Sequence, residues 1–527
     1  MTIVKERLII SEDGHSTRKL RDPLHKANAL TFSSLYEAKK DRGKDTIMKA
    51  DRSIHQRLIT AYQAGRSVNL HTILNHELMP VPVSIAYTNG SLRTGNKPVL
   101  LEVMTQGATC PAEVTIDGTS CLVIDGQALV ISLGKPAGIT NFGELADAFV
   151  KLVMHVGRCF DRIDVTFDRY RDTSIKAGTR TKRSKHARLI RRIIEDGSVP
   201  VPPKWTDFLA MPENKADLAC FLSNHLIANA PTNKTLVVAG GFQREDEVQT
   251  SNHELDIQQL AANHEEADTR LVLHCVHTNA ESVVVSARDT DVLVLLVAHF
   301  HKMACTKLWM KAGTAKRQKY IPVHEIRQVL PFTQPVFEAL IPFHAVTGCD
   351  TVSYFAEHSK KTAWKVFTTD NHLIKDLGIG ELTPTKMKNA EKFVCKLYGV
   401  PESNSCDQAR VKLFCKIKSP EALPPTTDAL KYHVQQAHYQ SLVWKRATNP
   451  HQVLPSPETI GCTMDEGQLS PKLSSLAPIP KSCKDIVSCG CTKGCTSLNC
   501  TCRKSKLVCT GACKCAHSSI MCKNKMD

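Results

Sequence analysis

Seven acidic side chains stand at or near the ends of apolar runs in this sequence, and their types could do chemistry together. They are Asp125, Asp168, Glu266, Asp268, Asp289, Asp291 and Asp350. If they converge, so many carboxylates cannot all ionise at close range without a cation. Hard divalent cations such as Mg²⁺ and Mn²⁺ take oxygen ligands, and two such ions about 4 Å apart can activate a water and stabilise the leaving oxygen in phosphodiester cleavage. The acids therefore predict a centre for two Mg²⁺ or Mn²⁺ ions.

The cysteine-rich C-terminal stretch is a second set of residues with ligand chemistry. Ten of the 21 cysteines fall between Cys483 and Cys522, and Cys483 lies outside the pattern that the other nine form. The nine are Cys489, Cys491, Cys495, Cys500, Cys502, Cys509, Cys513, Cys515 and Cys522. Because the stretch has almost no apolar material for a core, a metal or a cross-link must stabilise it. Thiolates in tetrahedral coordination suit Zn²⁺, and they can serve about three ions only if some of them bridge.

The acids require elements that carry them to one place. Three runs that predict strands lead directly into Asp residues: "SCLVID", "RIDVTFD" and "SVVVSARDTD". Glu266 and Asp268 lie in the first turn of a predicted helix before the third run. Strands alternate with predicted helices, which indicates an α/β layer fold with a mostly parallel sheet. Since ligands bind beyond the carboxyl ends of parallel strands, we expect the acids to converge at one edge of the sheet.

The chain of 527 residues has room for about three domains. We expect an N-terminal flanking region of unclear function over residues 1–115 and the acid-bearing α/β domain over 116–370. A helical extension over 371–445 and a linker rich in Pro and Ser over 446–480 follow. The cysteine-rich zinc domain occupies residues 481–527.

Positive charge is the main compositional feature. The formal net charge is +16 and the sequence pI is about 9.0, which favours a nucleic acid over a membrane as partner. Of the nucleic acids, we expect DNA rather than RNA. The longest apolar runs fall short of the roughly 18 residues that a membrane span needs. The N-terminal residues carry charges where a signal peptide would be apolar. We expect a nuclear protein, with the cytoplasm as the alternative, and we keep residues 1–115 as a candidate surface for protein partners.

The acids resemble, in order and spacing, those of the flap-endonuclease (XPG-like) branch of the PIN-like nucleases. The matching motifs are "VIDG", "FDRY", "EEADT", "DTDVL" and "GCDT", over residues 118–370. The resemblance implies a PIN-like three-layer fold and a two-metal, structure-directed nuclease. It also implies that Lys176 and Arg183 contact the scissile phosphate and stabilise its developing charge. The family's helix-hairpin-helix has an echo in "GCDTVSYFAEHSKKTAWKVF", where Lys360 and Lys361 are candidate phosphate contacts.

Departures from that family pattern leave a second function open. A long N-terminal stretch precedes the first acidic strand, and "AEHSKK" stands where the family's hairpin has glycines. The alternative is a catalytically silent PIN-like scaffold that binds nucleic acid or protein. Each acid taken singly also has an ordinary structural interpretation, such as Asp289 as a helix N-cap, or Asn263 with Glu266 as a capping box.

The cysteine pattern resembles the tesmin-like CXC domain, which implies about three zinc ions shared by the nine cysteines. Related domains often bind DNA, and the basic residues of this stretch are candidates for phosphate contact. They are Lys493, Arg503, Lys504, Lys506 and Lys514. Asn499 stands where DNA-binding repeats of the family carry a Tyr, which favours phosphate contact over base readout. The alternative is a zinc knot with a structural or protein-binding role.

The crowding of acids also predicts the effect of Asp291→Asn, which keeps the size of the side chain and removes one charge. We expect this change to abolish cleavage and to leave nucleic-acid affinity nearly unchanged. We also expect it to raise thermal stability without metal, because it relieves repulsion between like charges.

Overall fold

The computed structural model describes residues 52–170, 190–314, 317–414, 416, 419–465, 468–480 and 486–525. A central sheet is formed by β1 (Ser120–Asp125), β2 (Arg162–Thr166), β3 (Thr235–Ala239), β4 (Val248–Thr250), β5 (Ser282–Ser286), β6 (Lys307–Thr314) and β7 (Arg317–Pro322). Across the described residues this sheet has seven strands in the order β4-β3-β2-β1-β5-β6-β7. Neighbouring strands from β3 to β6 run parallel, and β4 and β7 pair antiparallel at the two edges. The predicted α/β class with a mostly parallel sheet is confirmed.

Helices cover the sheet and extend beyond it. They are α1 (Arg52–Gln63), α2 (Leu70–Leu74), α3 (Pro98–Met104), α4 (Gly126–Leu133), α5 (Phe142–Val156), α6 (Trp205–Leu209), α7 (Pro212–Ala228), α8 (Ala267–His277), α9 (Thr290–His299), α10 (Val323–Val329), α11 (Gln334–Val346), α12 (Lys360–Asp370), α13 (Pro384–Leu397), α14 (Cys406–Phe414), α15 (Thr427–Lys445) and α16 (Thr501–Lys504). A separate hairpin pairs β8 (Cys462–Asp465) with β9 (Gln468–Pro471). Residues 371–445, predicted to be helical, contain α13, α14 and α15.

The central strands are buried on both faces, which explains their nearly continuous apolar sequences. In β1, Cys121 and Val123 belong to one hydrophobic core, while Leu122 and Ile124 belong to another. The first core contains residues of α8, α9 and α11, and the second contains residues of α5 and α7. Helix α9 is buried along its whole length, because it is apolar on every side. The sheet is therefore a rigid layer between two packed helical layers.

Strand register aligns the carboxyl ends of the middle strands. Asp125 of β1 lies opposite Thr166 of β2, and Ile124 of β1 lies opposite Ser286 of β5. Residues that follow these three strands therefore emerge at the same edge. This alignment is what brings acids from distant parts of the sequence to one place.

The described part of the N-terminal flanking region packs against the α/β layer. Leu100 and Met104 of α3 are fully buried in the first core. The segment before α3 is hydrogen-bonded to the loop that follows Asp350: the amide of Tyr354 donates to the carbonyl of Arg93 at 3.2 Å. The amide of Arg93 in turn donates to Ser353 Oγ at 3.0 Å. Residues 84–97 and 350–356 thus form one local unit.

The segment predicted as a linker is tied to the helical body more closely than its composition indicates. Gln436 of α15 donates to the carbonyl of Gly461 at 2.8 Å, and the amide of Leu78 donates to the carbonyl of Pro478 at 2.8 Å. Arg66 then joins the cysteine-rich stretch to the helical body. Its guanidinium donates to the carbonyl oxygens of Val508 at 2.9 Å and Val487 at 2.8 Å. None of the helices in the described residues has the length and apolar character that crossing a membrane requires.

Candidate functional site

Asp125 and Asp168 begin the acidic edge, at the ends of β1 and β2. Asp125 also caps α4, because its Oδ1 accepts from the amide of Ala128 at 2.9 Å. Asp168 Oδ1 accepts from the amide of Ala267 at 2.7 Å. Glu266 and Asp268 flank that amide, so a strand-end carboxylate holds the start of the helix that carries the other two acids. The capping box predicted for Asn263 and Glu266 is replaced by this long-range cap.

The electrostatics of Asp125 reflect the crowding of acids. Burial and the neighbouring carboxylates of Asp168 and Asp289 raise the pKa of Asp125 to about 7. A carboxylate resists ionisation in this way when no cation compensates its neighbours. The carboxylates of Asp168 and Asp289 therefore lie close enough to act on Asp125, at the edge where the sequence predicts convergence.

In the described residues, two acids at the start of α9 and one from a following loop form a group whose carboxylate oxygens could hold a metal ion. Asp289 caps α9, Asp291 lies in its first turn, and Asp350 comes from the loop after α11. One oxygen from each of these carboxylates lies within 4.8 Å of the other two. Three carboxylate oxygens at this spacing are a suitable donor set for a hard divalent cation.

A lysine from the flanking region contacts all three carboxylates of this group. Lys97 Nζ lies 2.7 Å from Asp350 Oδ1, 2.9 Å from Asp291 Oδ2 and 3.4 Å from Asp289 Oδ1. Although burial alone would lower it, the three carboxylates raise the pKa of Lys97 well above its ordinary value. A cationic atom therefore stands among the three carboxylates, which shows that their arrangement suits a positive charge.

The second carboxylate oxygen of Asp291 accepts a hydrogen bond from a histidine. His344 Nε2 lies 2.7 Å from Asp291 Oδ1, and Lys360 Nζ lies 2.9 Å from His344 Nδ1. Burial and the Lys360 ammonium lower the pKa of His344 to about 4, so its imidazole is neutral near pH 7. Lys360 donates to Nδ1, and this contact assigns the proton to Nε2, which donates to Asp291. Although burial alone would raise it, Lys97 and His344 hold the pKa of Asp291 well below its ordinary value.

The predicted phosphate-contacting cations differ in their placement. Lys360 is 4% exposed, and its ammonium also donates to the carbonyl of His344 at 2.7 Å and to Thr347 Oγ1 at 3.0 Å. This position does not fit the predicted phosphate contact, because the ammonium faces the interior. Lys361 is exposed. Lys176 and Arg183 lie outside the described residues.

Sequence reasoning missed Lys97, His344 and Trp444 as neighbours of the acids. Trp444 Nε1 donates to Glu266 Oε2 at 3.3 Å, across 178 positions of sequence. The one local signal was at Lys97, which precedes Pro98 at the start of α3. A cation there opposes the helix dipole, so a remote acidic partner was to be expected. His344 lies in an apolar helix and Trp444 in a helix of mixed composition, and neither carries a comparable local signal.

The cysteine-rich stretch brings all nine predicted ligands together. Sγ atoms of the nine cysteines fall into overlapping groups of four, each within 4.8 Å. Cys489 Sγ lies 3.8 Å from Cys495 Sγ, 3.8 Å from Cys509 Sγ and 3.7 Å from Cys515 Sγ. The edge of a tetrahedron with Zn–S bonds of about 2.3 Å is about 3.8 Å, whereas a disulfide would need about 2.05 Å. The spacing therefore fits tetrahedral zinc sites with shared thiolates.

The predicted basic residues of this stretch lie on its surface. Lys493, Arg503, Lys504, Lys506 and Lys514 are all exposed. Arg503 Nη1 also donates to the carbonyl of Cys495 at 3.1 Å, so it contributes to the module's own structure. The others present the ends of long side chains to solvent, where a phosphate backbone could reach them.

Comparisons with known proteins add a limited finding. No protein-family model and no curated protein matches the sequence. A crystal structure of the T5 D15 protein co-crystallized with metal ions is similar, with a TM-score of 0.31, 12% identity, and coverage of 62% of this chain and 97% of that chain. A structure of T5 5'-exonuclease with bound divalent metal ions (zinc) has a TM-score of 0.30, 12% identity, and coverage of 56% and 97%. Because both TM-scores are low, what this chain does must be inferred from its own side chains.

Proposed function

We propose that this protein is a metal-dependent nuclease that uses two Mg²⁺ or Mn²⁺ ions to cleave phosphodiester bonds in structured nucleic acid, with DNA preferred to RNA. The observation that carries the proposal is the group formed by Asp289, Asp291 and Asp350, whose oxygens lie within 4.8 Å of one another. The group lies beyond β5, at the edge of a parallel sheet where ligands bind.

The acids have separate tasks in this proposal. Asp289, Asp291 and Asp350 hold one ion, and the acids around the ends of β1 and β2 and the start of α8 hold the other: Asp125, Asp168, Glu266 and Asp268. Bound divalent ions would supply an activated water and stabilise the leaving oxygen. His344 keeps Asp291 oriented through the Nε2 hydrogen bond. Lys176 and Arg183 are assigned to the charge that develops on the scissile phosphate.

The cysteine-rich module is proposed to bind about three zinc ions and to add affinity for nucleic acid. The Sγ spacing supports the zinc assignment, and the exposed lysines and arginine support phosphate contact. Contacts to phosphate position a protein without reading sequence, which suits a structure-directed enzyme. A nuclear location is part of this proposal, and imaging of a fluorescent fusion tests it.

A cleavage assay tests the enzyme directly. Flap, hairpin and single-stranded substrates of DNA and RNA are incubated with Mg²⁺, Mn²⁺ or EDTA. Asp291→Asn should abolish cleavage of the best substrate, while Asp376→Asn, which alters an exposed acid away from this group, should cleave as the wild type does. If wild type cleaves only in the presence of metal and Asp291→Asn does not, the proposal stands.

The alternative function is a silent scaffold that binds nucleic acid or protein. The contact of Lys97 with all three carboxylates favours it, because a permanent internal cation would compensate part of their charge without catalysis. Tight binding of nucleic acid by a wild type that never cleaves any substrate with Mg²⁺ or Mn²⁺ would establish this alternative.

A further inference from the structure

Lys97 reaches the acids from a fixed position. It is the residue before α3, whose Leu100 and Met104 are fully buried. Ser, Thr, Asp and Asn are favoured at that position and a cation is not, so the local helix gives no reason for a lysine. The preceding segment is hydrogen-bonded to the loop after Asp350. The element that supplies Lys97 is therefore tied to the loop that supplies one of the three carboxylates.

Both carboxylate oxygens of Asp291 are in contact with nitrogen donors while Lys97 remains. Its Oδ1 lies 2.7 Å from His344 Nε2, and its Oδ2 lies 2.9 Å from Lys97 Nζ. Asp291 is 1% exposed, and the Lys97 ammonium fills the space beside its Oδ2. Mg²⁺ binds carboxylate oxygens at about 2.0–2.1 Å, which places it in that same space.

We propose that Lys97 is the internal cation of the Asp289–Asp291–Asp350 group, and that a divalent ion binds there only by displacing its ammonium. The metal part of this inference rests on the proposed function. Three carboxylates and one ammonium leave a formal charge of −2, so the group still attracts a divalent ion. Without metal, Lys97 keeps the three carboxylates together. When a metal ion binds, the Lys97 ammonium must turn away. The ammonium and the metal ion therefore compete for this half of the site.

Variants that lack the Lys97 ammonium test whether it competes with a divalent ion. Lys97→Met keeps most of the length of the side chain and removes its charge, and Lys97→Gln is a second variant that still donates hydrogen bonds. Lys365→Met is the matched control, because Lys365 is exposed on α12. Mn²⁺ affinity is measured without nucleic acid from the electron paramagnetic resonance signal of free Mn²⁺. The titrations are run in about 1 M KCl, where the Debye length is about 3 Å and distant charge effects are screened.

Both Lys97 variants should bind Mn²⁺ at least about tenfold more tightly than wild type, because the competent state no longer has to expel a competitor. They should melt at a lower temperature than wild type in EDTA and regain stability in Mn²⁺, while Lys365→Met matches wild type in both. Unchanged or weaker Mn²⁺ affinity in both Lys97 variants overturns the inference, even if wild type cleaves. Tighter Mn²⁺ binding by those variants without cleavage of any substrate supports the inference and removes the nuclease proposal alone.

Discussion

The cysteine-rich module and the acidic edge both present clustered metal-ligand side chains, but they differ in what holds them together. In the described residues, the module's buried cluster consists of its cysteines, with Leu507 packed beside them. The acidic edge lies instead on parallel strands and a helix that are buried on all sides. Metal bound in the module would therefore take the place of a hydrophobic core, whereas metal at the acidic edge would bind to a scaffold that is already folded.

The acidic edge itself has two halves with opposite electrostatics. Lys97 and His344 compensate Asp291, which lowers its pKa well below the ordinary value. Asp125 has only carboxylates and backbone amides among the groups that shift its pKa, and burial with Asp168 and Asp289 raises it to about 7. The first half thus has its negative charge compensated by protein groups, whereas the carboxylate at the centre of the second half is destabilised by its acidic neighbours.

The largest expected effect separates the module from the body. A zinc chelator should remove about three zinc ions per chain and unfold residues 486–525, because structural zinc contributes about 10–16 kcal/mol in comparable small domains near pH 7. Hydrogen exchange should become fast in that stretch and stay slow in β1, β2 and β5. Zinc content is measured by mass spectrometry before and after chelation.

One zinc ion or none per chain, in protein purified without chelator, would contradict the zinc assignment. Faster exchange throughout the central sheet after chelation would contradict the separation of the two regions. Prior addition of excess Zn²⁺ to the chelator is the control, since it should leave exchange in residues 486–525 slow.

The arrangement of the acidic edge followed from the sequence because it depends on strand ends. A strand of apolar residues followed by Asp is a local pattern, and parallel register then aligns such ends without further information. The position of Asp125, Asp168 and Asp289 at one edge of the sheet could be predicted in this way, as could the alternation of strands and helices. The nine cysteines were equally readable, because their spacing in a short stretch leaves few other uses.

The positions of Lys97 and Lys360, the cations near the acids, could not be predicted from the sequence in this way. Lys97 lies 192 positions from Asp289 and 194 from Asp291 in sequence, and its contact with them depends on how α3 packs. Lys360 looks like a surface lysine beside Lys361, yet burial under His344 and Thr347 gives it an internal role. Contacts of this kind decide whether removing a charged side chain stabilises or destabilises the protein. They form only when the chain packs, so they cannot be predicted from a single sequence.

The second-largest expected effect is on thermal stability without metal, and for Asp291→Asn it has the opposite sign to the one that the sequence predicts. Crowding of acids predicts that Asp291→Asn stabilises the metal-free protein, but the compensation by Lys97 and His344 gives the opposite sign. In EDTA at about pH 8, Asp291→Asn should lower the melting temperature and Asp125→Asn should raise it, each by about 2 °C or more. Asparagine at position 125 can still accept from the amide of Ala128, so the cap of α4 is kept.

The pH dependence checks the physical cause of these two shifts. The folded pKa of Asp125 is raised from 3.8 to about 7, so wild type loses stability as pH rises through that window and Asp125→Asn does not. The gain of Asp125→Asn should vanish below about pH 4. The folded pKa of Asp291 is lowered from 3.8, so its contribution is present above that value and is lost as pH falls. Equal melting curves for both variants and wild type at about pH 8 would refute the two-half description.

The smallest expected effect concerns nucleic-acid affinity and sharpens the division of labour between the two regions. Lys493 and Lys504 are exposed on the module, away from the acids in sequence. Lys493→Gln with Lys504→Gln should weaken binding in about 0.1 M salt and reduce the slope of log affinity against log salt by about one for each phosphate that is no longer neutralised. Cleavage at saturating substrate should not change, because the acids are intact. Lys388→Gln, an exposed lysine on α13, serves as the control, and a loss of saturated cleavage in the double variant would mean that the module takes part in the chemistry itself.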